Sequence, residues 1–258
     1  MTVTGAGPSG LVAAKTLLHD ASPGTFKVTI FEAQSRIGGL WPSRKDDYGG
    51  LMHPLMIANQ SRHTAQFSDL AWEESVPQMP RAWQVGRYLE RYLQRYVSGI
   101  ADLRLGHKVV RAELQDGGSW NVQTQSERGP DETGVFDYLL VGSGFFGKPL
   151  WPDYVPREAE VPIVHSSKYR DLKTLLGDRN DGTGGKILVV GGQMSGIEIA
   201  GTIATHLSSA VHSPGQKEIA DAEKYNVHHV AQRPAWVLPL FTTPKVRPYS
   251  FNRYALAL

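Results

Sequence analysis

Three glycines near the start of the chain have the spacing of a phosphate-binding turn. Gly5, Gly7 and Gly10 form the pattern G-x-G-x-x-G within the segment GAGPSG. The first glycine permits the bend from strand to helix, the second lets the backbone approach a pyrophosphate, and the third lets helix and strand pack closely. The helix that follows would direct free N–H groups and the positive end of its dipole at the phosphates. We therefore expect this segment, including Pro8 and Ser9, to bind a dinucleotide.

An acidic residue follows where such a turn requires one. Glu32 ends an alternating, β-branched segment that begins at Lys27, and it lies 22 residues after Gly10 (32 − 10). A carboxylate at this position is suited to hydrogen-bond the ribose diol of an adenosine. The strand before, the helix after and the acid together predict a dinucleotide site rather than a structural glycine turn.

A second glycine-rich turn, GGQMSG, occupies Gly191 to Gly196. Its first and last glycines are retained, but Gln193 stands where the middle glycine is expected. A side chain there makes close approach of a pyrophosphate harder. Binding then depends on the region of Ser195 and on the free amides of the helix N-terminus.

The strand after the second turn has the sequence HHVAQR and ends in Arg233 rather than in an acid. An acid would repel a 2′-phosphate, whereas a guanidinium can pair with it bidentately. This favours NADP over NAD. Two dinucleotide sites in one chain imply one tightly held flavin and one nicotinamide donor, with hydride passing from the second to the first.

The elements that must position these turns occur twice in the same order. Each turn is predicted to follow a short strand and to precede a helix and a second strand: Met1–Thr4, Leu11–His19 and Lys27–Glu32 in the first case, and Lys186–Val190, Ile197 to about Leu207 and Val227–Arg233 in the second. This order predicts an α/β fold with two Rossmann-like dinucleotide-binding domains.

The segments between the two turns complete the predicted architecture. Residues 35–80 are expected to form mostly loops, and the apolar spacing from Val85 to Val97 predicts an amphipathic helix whose tyrosines pack on the core. A small antiparallel meander is predicted from Leu103–Leu114, Trp120–Thr124 and Phe136–Val141. Prolines 149, 152 and 156 suggest a linker. We therefore expect an FAD-binding domain at 1–150 and an incomplete NADPH-binding domain at 151–258.

Composition excludes several classes of function. The chain has 258 residues, of which 41% are hydrophobic and 20% charged, as in a soluble globular protein. A net charge of +2 gives no reason to expect nucleic-acid binding. The absence of cysteine excludes disulfides, thiolate metal sites and dithiol redox centres, and no metal site is predicted. Neither a secretory signal nor a membrane-spanning apolar segment is visible, so a cytoplasmic location is expected by default. The oligomeric state stays open.

The residues together resemble the flavin-containing monooxygenase family. The resemblance extends over most of the chain in six ordered segments: GAGPSGL (5–11), FEAQSRIGGLW (31–41), Asn59 with FSDL (67–70), FDYLLVGSGFFGKPLWP (136–152), GGQMSGIEIA (191–200) and VAQRPAWVLP (230–239). It implies FAD and NADPH as cofactors, with Gly39, Leu40 and Trp41 near the flavin and Asn59 as the polar group beside its reacting end. The implied reaction uses O₂ and a C4a-hydroperoxyflavin to oxygenate a soft nitrogen or sulfur nucleophile in a small-molecule substrate.

The chain departs from the family pattern at several positions. The histidine of the family signature before the second turn would be His165, but the matching Phe and Gly positions are Ala159 and Val161. Gln193 is a second departure. The family's FAD domain is completed by chain that returns after the NADPH domain, so we expect a C-terminal truncation and a clipped N-terminus.

Two alternatives are kept open: a Baeyer–Villiger relative would oxygenate a ketone, and a truncated fragment would bind nucleotide without turnover. A plain NADP-dependent dehydrogenase would use only the second turn and would leave the first turn unexplained. A disulfide reductase of the same plan would need a dithiol, which a chain without cysteine cannot supply.

Overall fold

The computed structural model describes residues 1–47, 50–153, 155–156, 159–177, 181–213, 215 and 219–232. Contacts divide the chain into two compact units, Met1–Lys148 and Pro149–Leu258. Each unit carries one of the two glycine-rich turns, and each is described by itself.

A four-stranded parallel sheet forms the centre of the first unit. Its strands are β1 (Thr2–Thr4), β2 (Thr29–Glu32), β3 (Asp102–Leu105) and β7 (Leu139–Val141). Their order across the sheet is β3-β2-β1-β7, and every neighbouring pair is parallel. This is the arrangement of a doubly wound nucleotide-binding half, in which the first strand lies at the centre. The prediction of an α/β fold is confirmed.

A three-stranded antiparallel meander accompanies the sheet, formed by β4 (His107–Leu114), β5 (Trp120–Ser126) and β6 (Glu132–Phe136). The predicted antiparallel meander is present, but its predicted bounds were wrong at both ends. Leu103–Leu114 divides into β3 and β4 at Gly106, whose φ of 69° turns the chain out of the parallel sheet. Phe136–Val141 likewise divides, and β7 joins the parallel sheet. Apolar residues lie on both sides of each break, so periodicity could not separate the strands.

Two helices of the first unit are α1 (Pro8–His19) and α2 (Ala82–Tyr96). The predicted tyrosine stripe of α2 is confirmed as core: Tyr92 is only 1% exposed, and Tyr88 is buried. Tyr88 stacks on Trp72 with ring centroids 4.3 Å apart. Its hydroxyl donates to the Leu70 carbonyl at 2.5 Å. Helix α2 therefore packs against and hydrogen-bonds the loop segment 35–80 through Tyr88. The described residues of that segment form neither helix nor regular strand.

The second unit is built on two parallel strands, β8 (Gly185–Val190) and β9 (Tyr225–Val230), with helices α3 (Leu172–Leu176) and α4 (Met194–His212). Its core cluster is formed by α3, α4 and β9 through buried residues that include Leu172, Ile203, Leu207 and Tyr225.

Helix α4 differs from its predicted bounds at both ends. It begins at Met194, three residues before Ile197, and it continues to His212, five residues beyond the predicted end near Leu207 (212 − 207). Neither glycine nor proline interrupts residues 202–213, and propensity alone did not mark an end. Helix α1 likewise begins at Pro8 rather than Leu11. Within the described ranges, no helix combines the length and apolar character that crossing a membrane would require.

Candidate functional site

The first glycine-rich turn joins β1 to α1 at the carboxyl end of the parallel sheet. Thr4 pairs with Phe31, and the Gly5 N–H donates to the Phe31 carbonyl at 2.7 Å. Gly5 has a φ of 93°, and a Cβ there would lie 2.5 Å from the carbonyl oxygen of Gly142. A side chain at Gly5 is therefore excluded both by backbone conformation and by the neighbouring strand's end.

The other two glycines of this turn differ in what requires them. A Cβ at Gly10 would overlap the carbonyl of Gly5, so close packing of helix on turn demands glycine there. Gly7 has an ordinary extended conformation with a φ of −77°. The nearest atom to a Cβ at Gly7 would be the Gly39 Cα at 3.7 Å. The fold itself does not need glycine at position 7, and the missing side chain leaves the space that a pyrophosphate requires.

The start of helix α1 is suited to an anion. Leu11 makes the first helical bond, donating to the Gly7 carbonyl at 3.0 Å, so the amides of Ser9 and Gly10 precede the helical ladder. Pro8 occupies the first helical position, where an N–H would have no partner within the helix, so proline loses no hydrogen bond there. Ser9 is exposed. These residues fit a dinucleotide phosphate approaching along the helix axis.

Glu32 lies at the end of β2 with a side chain that is only 5% exposed. Its Oε2 accepts the Ala6 N–H at 2.7 Å, and its Oε1 accepts the Gln34 N–H at 2.8 Å. The carboxylate thus ties the first turn to the end of β2. Because each carboxylate oxygen has further acceptor capacity, this bonding is compatible with a ribose hydroxyl as an additional donor.

The predicted segment Gly39 to Trp41 lies beside the first turn. Gly38 donates its N–H to the Ala6 carbonyl at 2.9 Å, and Trp41 donates back to the Gly38 carbonyl at 3.1 Å. A Cβ at Gly39 would lie 3.3 Å from the Gly7 Cα, so two bare backbones face each other. Leu40 and Trp41 are half-buried. The structure therefore brings together Gly7 and Gly39, which are 32 residues apart in sequence (39 − 7).

Arg36 holds this segment in place, and sequence reasoning missed it. Its Nη1 donates to the carbonyls of Ile37, Gly39 and Trp41 at 3.1, 3.1 and 3.0 Å. Its Nε pairs with the Asp47 carboxylate at 2.9 Å. The two N–H groups of Nη1 share these three carbonyls, while Nε holds the guanidinium against Asp47. The available signal was an arginine two residues before a Gly-Gly pair.

The predicted catalytic residue Asn59 is exposed on the long loop segment. Its neighbour Ala58 donates to the Pro80 carbonyl at 2.8 Å, which anchors the backbone near the start of α2. The structure gives its place on the loop, and its contact with a flavin stays a prediction.

The segment FSDL, which the resemblance pairs with Asn59, is anchored at several points. Phe67 donates its N–H to the Tyr88 hydroxyl at 2.8 Å. Asp69 lies 3.0 Å from the Lys15 ammonium of α1. The Ser68 hydroxyl and this ammonium hold the pKa of the Asp69 carboxyl below its usual range. The segment is therefore fixed to both helices of the first unit.

The second turn repeats the backbone of the first. Val190 pairs with Val230, and the Gly191 N–H donates to the Val230 carbonyl at 2.9 Å. Gly191 has a φ of 135°, and a Cβ at Gly196 would overlap the carbonyl of Gly191. These relations match those of Gly5, Phe31 and Gly10.

The middle position of the second turn has the expected backbone with an added side chain. Gln193 occupies the N-cap position of α4, and its φ of −92° and ψ of 176° are close to the φ of −77° and ψ of −175° at Gly7. Gln193 and Ser195 are both exposed, Gln193 just before the helix and Ser195 as its second residue. The turn can therefore present its helix N-terminus to a phosphate, with an amide side chain beside it.

The matching hydrogen bonds show which residue replaces the acid. The Gly5 N–H bonds the Phe31 carbonyl, and the Gly191 N–H bonds the Val230 carbonyl in the same way. The residue that follows Phe31 is therefore equivalent to the residue that follows Val230, so Glu32 corresponds to Ala231. The second site thus lacks a carboxylate where one would repel a 2′-phosphate. Strand β9 ends at Val230, short of its predicted bound, and the predicted phosphate ligand Arg233 lies outside the described residues.

His165 has a local structural role. Its Nδ1 accepts the Ser167 N–H at 3.2 Å and lies 2.9 Å from the Ser167 hydroxyl, so it caps the short 3₁₀ turn Ser166–Lys168. This bonding explains a histidine here without a cofactor.

Comparison with known proteins defines the class to which these two turns belong. Residues 1–214 match the model of the family described as flavin-binding monooxygenase-like. The chain is 32% identical over 205 residues to the monooxygenase PC-14 of Penicillium crustosum, covering 78% of this chain and 33% of that protein. It is 26% identical over 229 residues to the thiol-specific monooxygenase of Saccharomyces cerevisiae, covering 85% of this chain and 50% of that protein.

A solved structure shares the fold. The S-allyl-L-cysteine S-oxygenase of Allium sativum superposes with a TM-score of 0.62 at 21% identity, over 95% of this chain and 53% of that one. The chain thus spans from a third to about half of these proteins.

The chain belongs to the flavin-binding monooxygenase-like family. The predicted resemblance and the predicted pair of Rossmann-like domains are confirmed. Membership implies FAD and NADPH as cofactors, as predicted.

Proposed function

We propose that this chain forms the FAD-binding and part of the NADPH-binding region of a monooxygenase that oxygenates a soft nitrogen or sulfur atom of a small molecule. The observation that carries the proposal is the repeated strand–turn–helix–strand unit, in which both turns make the same backbone hydrogen bond to the second strand. The residue after that bond, where the ribose would lie, differs between the two units: it is Glu32 in the first and Ala231 in the second. An acid suits the ribose diol of FAD, and its absence suits the 2′-phosphate of NADPH. The names of the thiol-specific and S-oxygenase relatives support a sulfur substrate.

The protein's task is to bind and orient the two nucleotides. In the first unit the bare backbone at Gly7 and the amides of Ser9 and Gly10 would hold the FAD pyrophosphate, and Glu32 would accept from its ribose. Gly39, Leu40 and Trp41 would line the flavin side of this site.

In the second unit Gly191, Ser195 and Gly196 would hold the NADPH pyrophosphate, and Arg233 would pair with the 2′-phosphate. When bound, the flavin supplies the chemistry, by the C4a-hydroperoxyflavin route that the family resemblance implies. The overall reaction consumes NADPH, a proton and O₂, and it yields NADP⁺, water and the oxygenated substrate. Asn59 would donate a hydrogen bond at the reacting end of the site, and the surrounding loops would exclude water.

The purified chain tests the proposal directly. Bound flavin is read from visible absorbance, and turnover is read from O₂ uptake with NADPH and, in separate reactions, a thiol, a tertiary amine or a ketone. We expect a yellow protein that prefers NADPH to NADH and oxygenates the thiol or amine. Oxygenation of the ketone alone would establish the Baeyer–Villiger alternative, and a nucleotide-binding chain without O₂ uptake would establish a non-catalytic fragment.

A further inference from the structure

A histidine in the second unit contacts the second glycine-rich turn. His229 lies on β9, one residue before Val230, and its Nε2 is 2.7 Å from the Gly191 carbonyl oxygen. Because a carbonyl oxygen only accepts, Nε2 must carry the hydrogen. His229 is half-buried, on the same side of β9 as Tyr225 and Val227, which contribute to the core with α4.

The Gly191 carbonyl belongs to the peptide group that begins the turn. Both residues of that group, Gly191 and Gly192, lack a Cβ, and the φ of 135° at Gly191 is favourable for glycine alone. A Gly-Gly peptide can rotate between several orientations at little cost, so the sequence itself does not fix this group. The hydrogen bond from His229 Nε2 to the Gly191 carbonyl oxygen fixes its orientation.

The first turn fixes the equivalent peptide group from its other end. Ala6 donates its N–H to Glu32 Oε2, and the Gly5 carbonyl and this N–H belong to one peptide group. The position matching His229 is Ile30, which is fully buried and has no donor. In the second unit His229 therefore stands where the first has Ile30, and Ala231 stands where the first has Glu32.

The exchange has a physical logic. A carbonyl and the N–H of the same trans peptide point in opposite directions. Removing the acid at position 231 relieves repulsion of a phosphorylated ribose, but it also removes the acceptor that would orient the peptide. A donor from the opposite side restores the orientation and leaves the Gly192 N–H directed away from the histidine.

We infer that His229 is a positioning residue of the second dinucleotide site, which orients the Gly191–Gly192 peptide in place of the missing acid. This inference rests on the proposed function, because it assigns the turn to NADPH. His229 acts through the backbone and not by contact with the reacting atoms. Its neighbour His228 is exposed on the opposite face of β9 and provides a matched control.

Three variants test the inference: His229→Leu, which removes the donor, His229→Gln, which keeps an N–H at a similar reach, and His228→Leu. The dissociation constant of NADP⁺ is measured by calorimetry, and amide hydrogen exchange of the segment around residues 191–196 is measured without nucleotide. We expect His229→Leu to weaken binding about tenfold, the effect of one lost hydrogen bond. It should also accelerate exchange in this segment, while His229→Gln restores both and His228→Leu changes neither.

The outcomes separate the inference from the function on which it rests. If the unchanged protein binds NADP⁺ and His229→Leu binds it equally well with unchanged exchange, the positioning role is overturned and the proposed function stands. If His229→Gln loses binding as fully as His229→Leu, the donor is not the cause, and the role is again overturned. If the unchanged protein binds no NADP⁺, the proposed function fails, and the role fails with it.

Discussion

The carboxylate of Glu32 accepts the backbone N–H of Ala6 at 2.7 Å, so the acid assigned to a ribose also holds the turn assigned to the pyrophosphate. One buried side chain therefore links the end of β2 to the phosphate-binding backbone. Its loss is expected to affect both the stability of the first unit and its cofactor.

Glu32→Gln places an NH₂ group where one carboxylate oxygen accepts an amide N–H. A buried donor then faces another donor, which costs about 1–3 kcal/mol in the free energy of unfolding. Urea titration of the first unit's transition measures this loss. Glu127→Gln changes an exposed glutamate of the same unit and should leave the transition in place. Equal transitions for both variants would contradict the buried bonding of Glu32.

Gly7→Ala and Gly10→Ala should separate cofactor binding from folding. An alanine at Gly7 meets no protein atom nearer than 3.7 Å and has an allowed φ, so thermal stability without cofactor should be nearly unchanged while flavin content falls sharply. An alanine at Gly10 overlaps the Gly5 carbonyl and should cost about 1–3 kcal/mol of stability. Differential scanning calorimetry and flavin absorbance distinguish them. A Gly7→Ala protein with full flavin content would refute a pyrophosphate at this position.

Arg36→Lys keeps the charge but loses the two separate nitrogens that hold the carbonyls of Ile37, Gly39 and Trp41 (Nη1) and the Asp47 carboxylate (Nε) at the same time. The Gly38–Trp41 segment should loosen, and the affinity for FAD should fall on the order of tenfold. Arg44→Lys is the control, because the ion pair that Arg44 forms with Asp46 is exposed. Fluorescence titration of the flavin gives both affinities. A control that loses as much affinity as Arg36→Lys would show that the hydrogen bonds of Arg36 are not responsible, since both substitutions keep the positive charge.

Gln193→Gly should tighten NADPH binding about threefold, because it removes a side chain from the place where the phosphate approaches the helix. The φ of −92° at this position suits either residue, so the turn itself should be unchanged. Calorimetry with NADP⁺ is the measurement, and FAD content serves as the internal reference. Weaker binding would mean that the Gln193 amide itself donates to the nucleotide.

Alkaline stability should depend on Tyr92. Burial, reinforced by the nearby Asp69 carboxylate, raises the pKa of Tyr92 to about 12. A group whose pKa is higher in the folded than in the unfolded state stabilises fully below its unfolded value, near 10, and loses that contribution as pH rises through the folded value. Stability of the first unit should therefore fall between about pH 10 and 12, and less steeply in Tyr92→Phe. Urea titrations across this range measure how the free energy of unfolding depends on pH. An equally steep fall in Tyr92→Phe would show that another group causes it.

The sequence predicted the parts of the site that depend on local spacing. Glycines at fixed intervals, a following acid and β-branched runs predicted both turns and the strands around them. The division of Leu103–Leu114 was not predictable, because one alternating pattern supplies two sheets and only tertiary pairing separates them. Arg36 was missed for a similar reason: its role depends on three carbonyls that converge only when the Gly38–Trp41 segment folds back on itself. His229 likewise has no motif, since its partner is a backbone atom 38 residues away.

Gly5 bonds Phe31 in the same register in which Gly191 bonds Val230, so the two turns share one backbone arrangement. Two nucleotide clefts can be built from a single backbone template, so the choice of coenzyme needs no remodelling of the chain. Under the proposed function, the discrimination between an unmodified and a phosphorylated ribose begins at one interchangeable side chain immediately beyond the last strand pair.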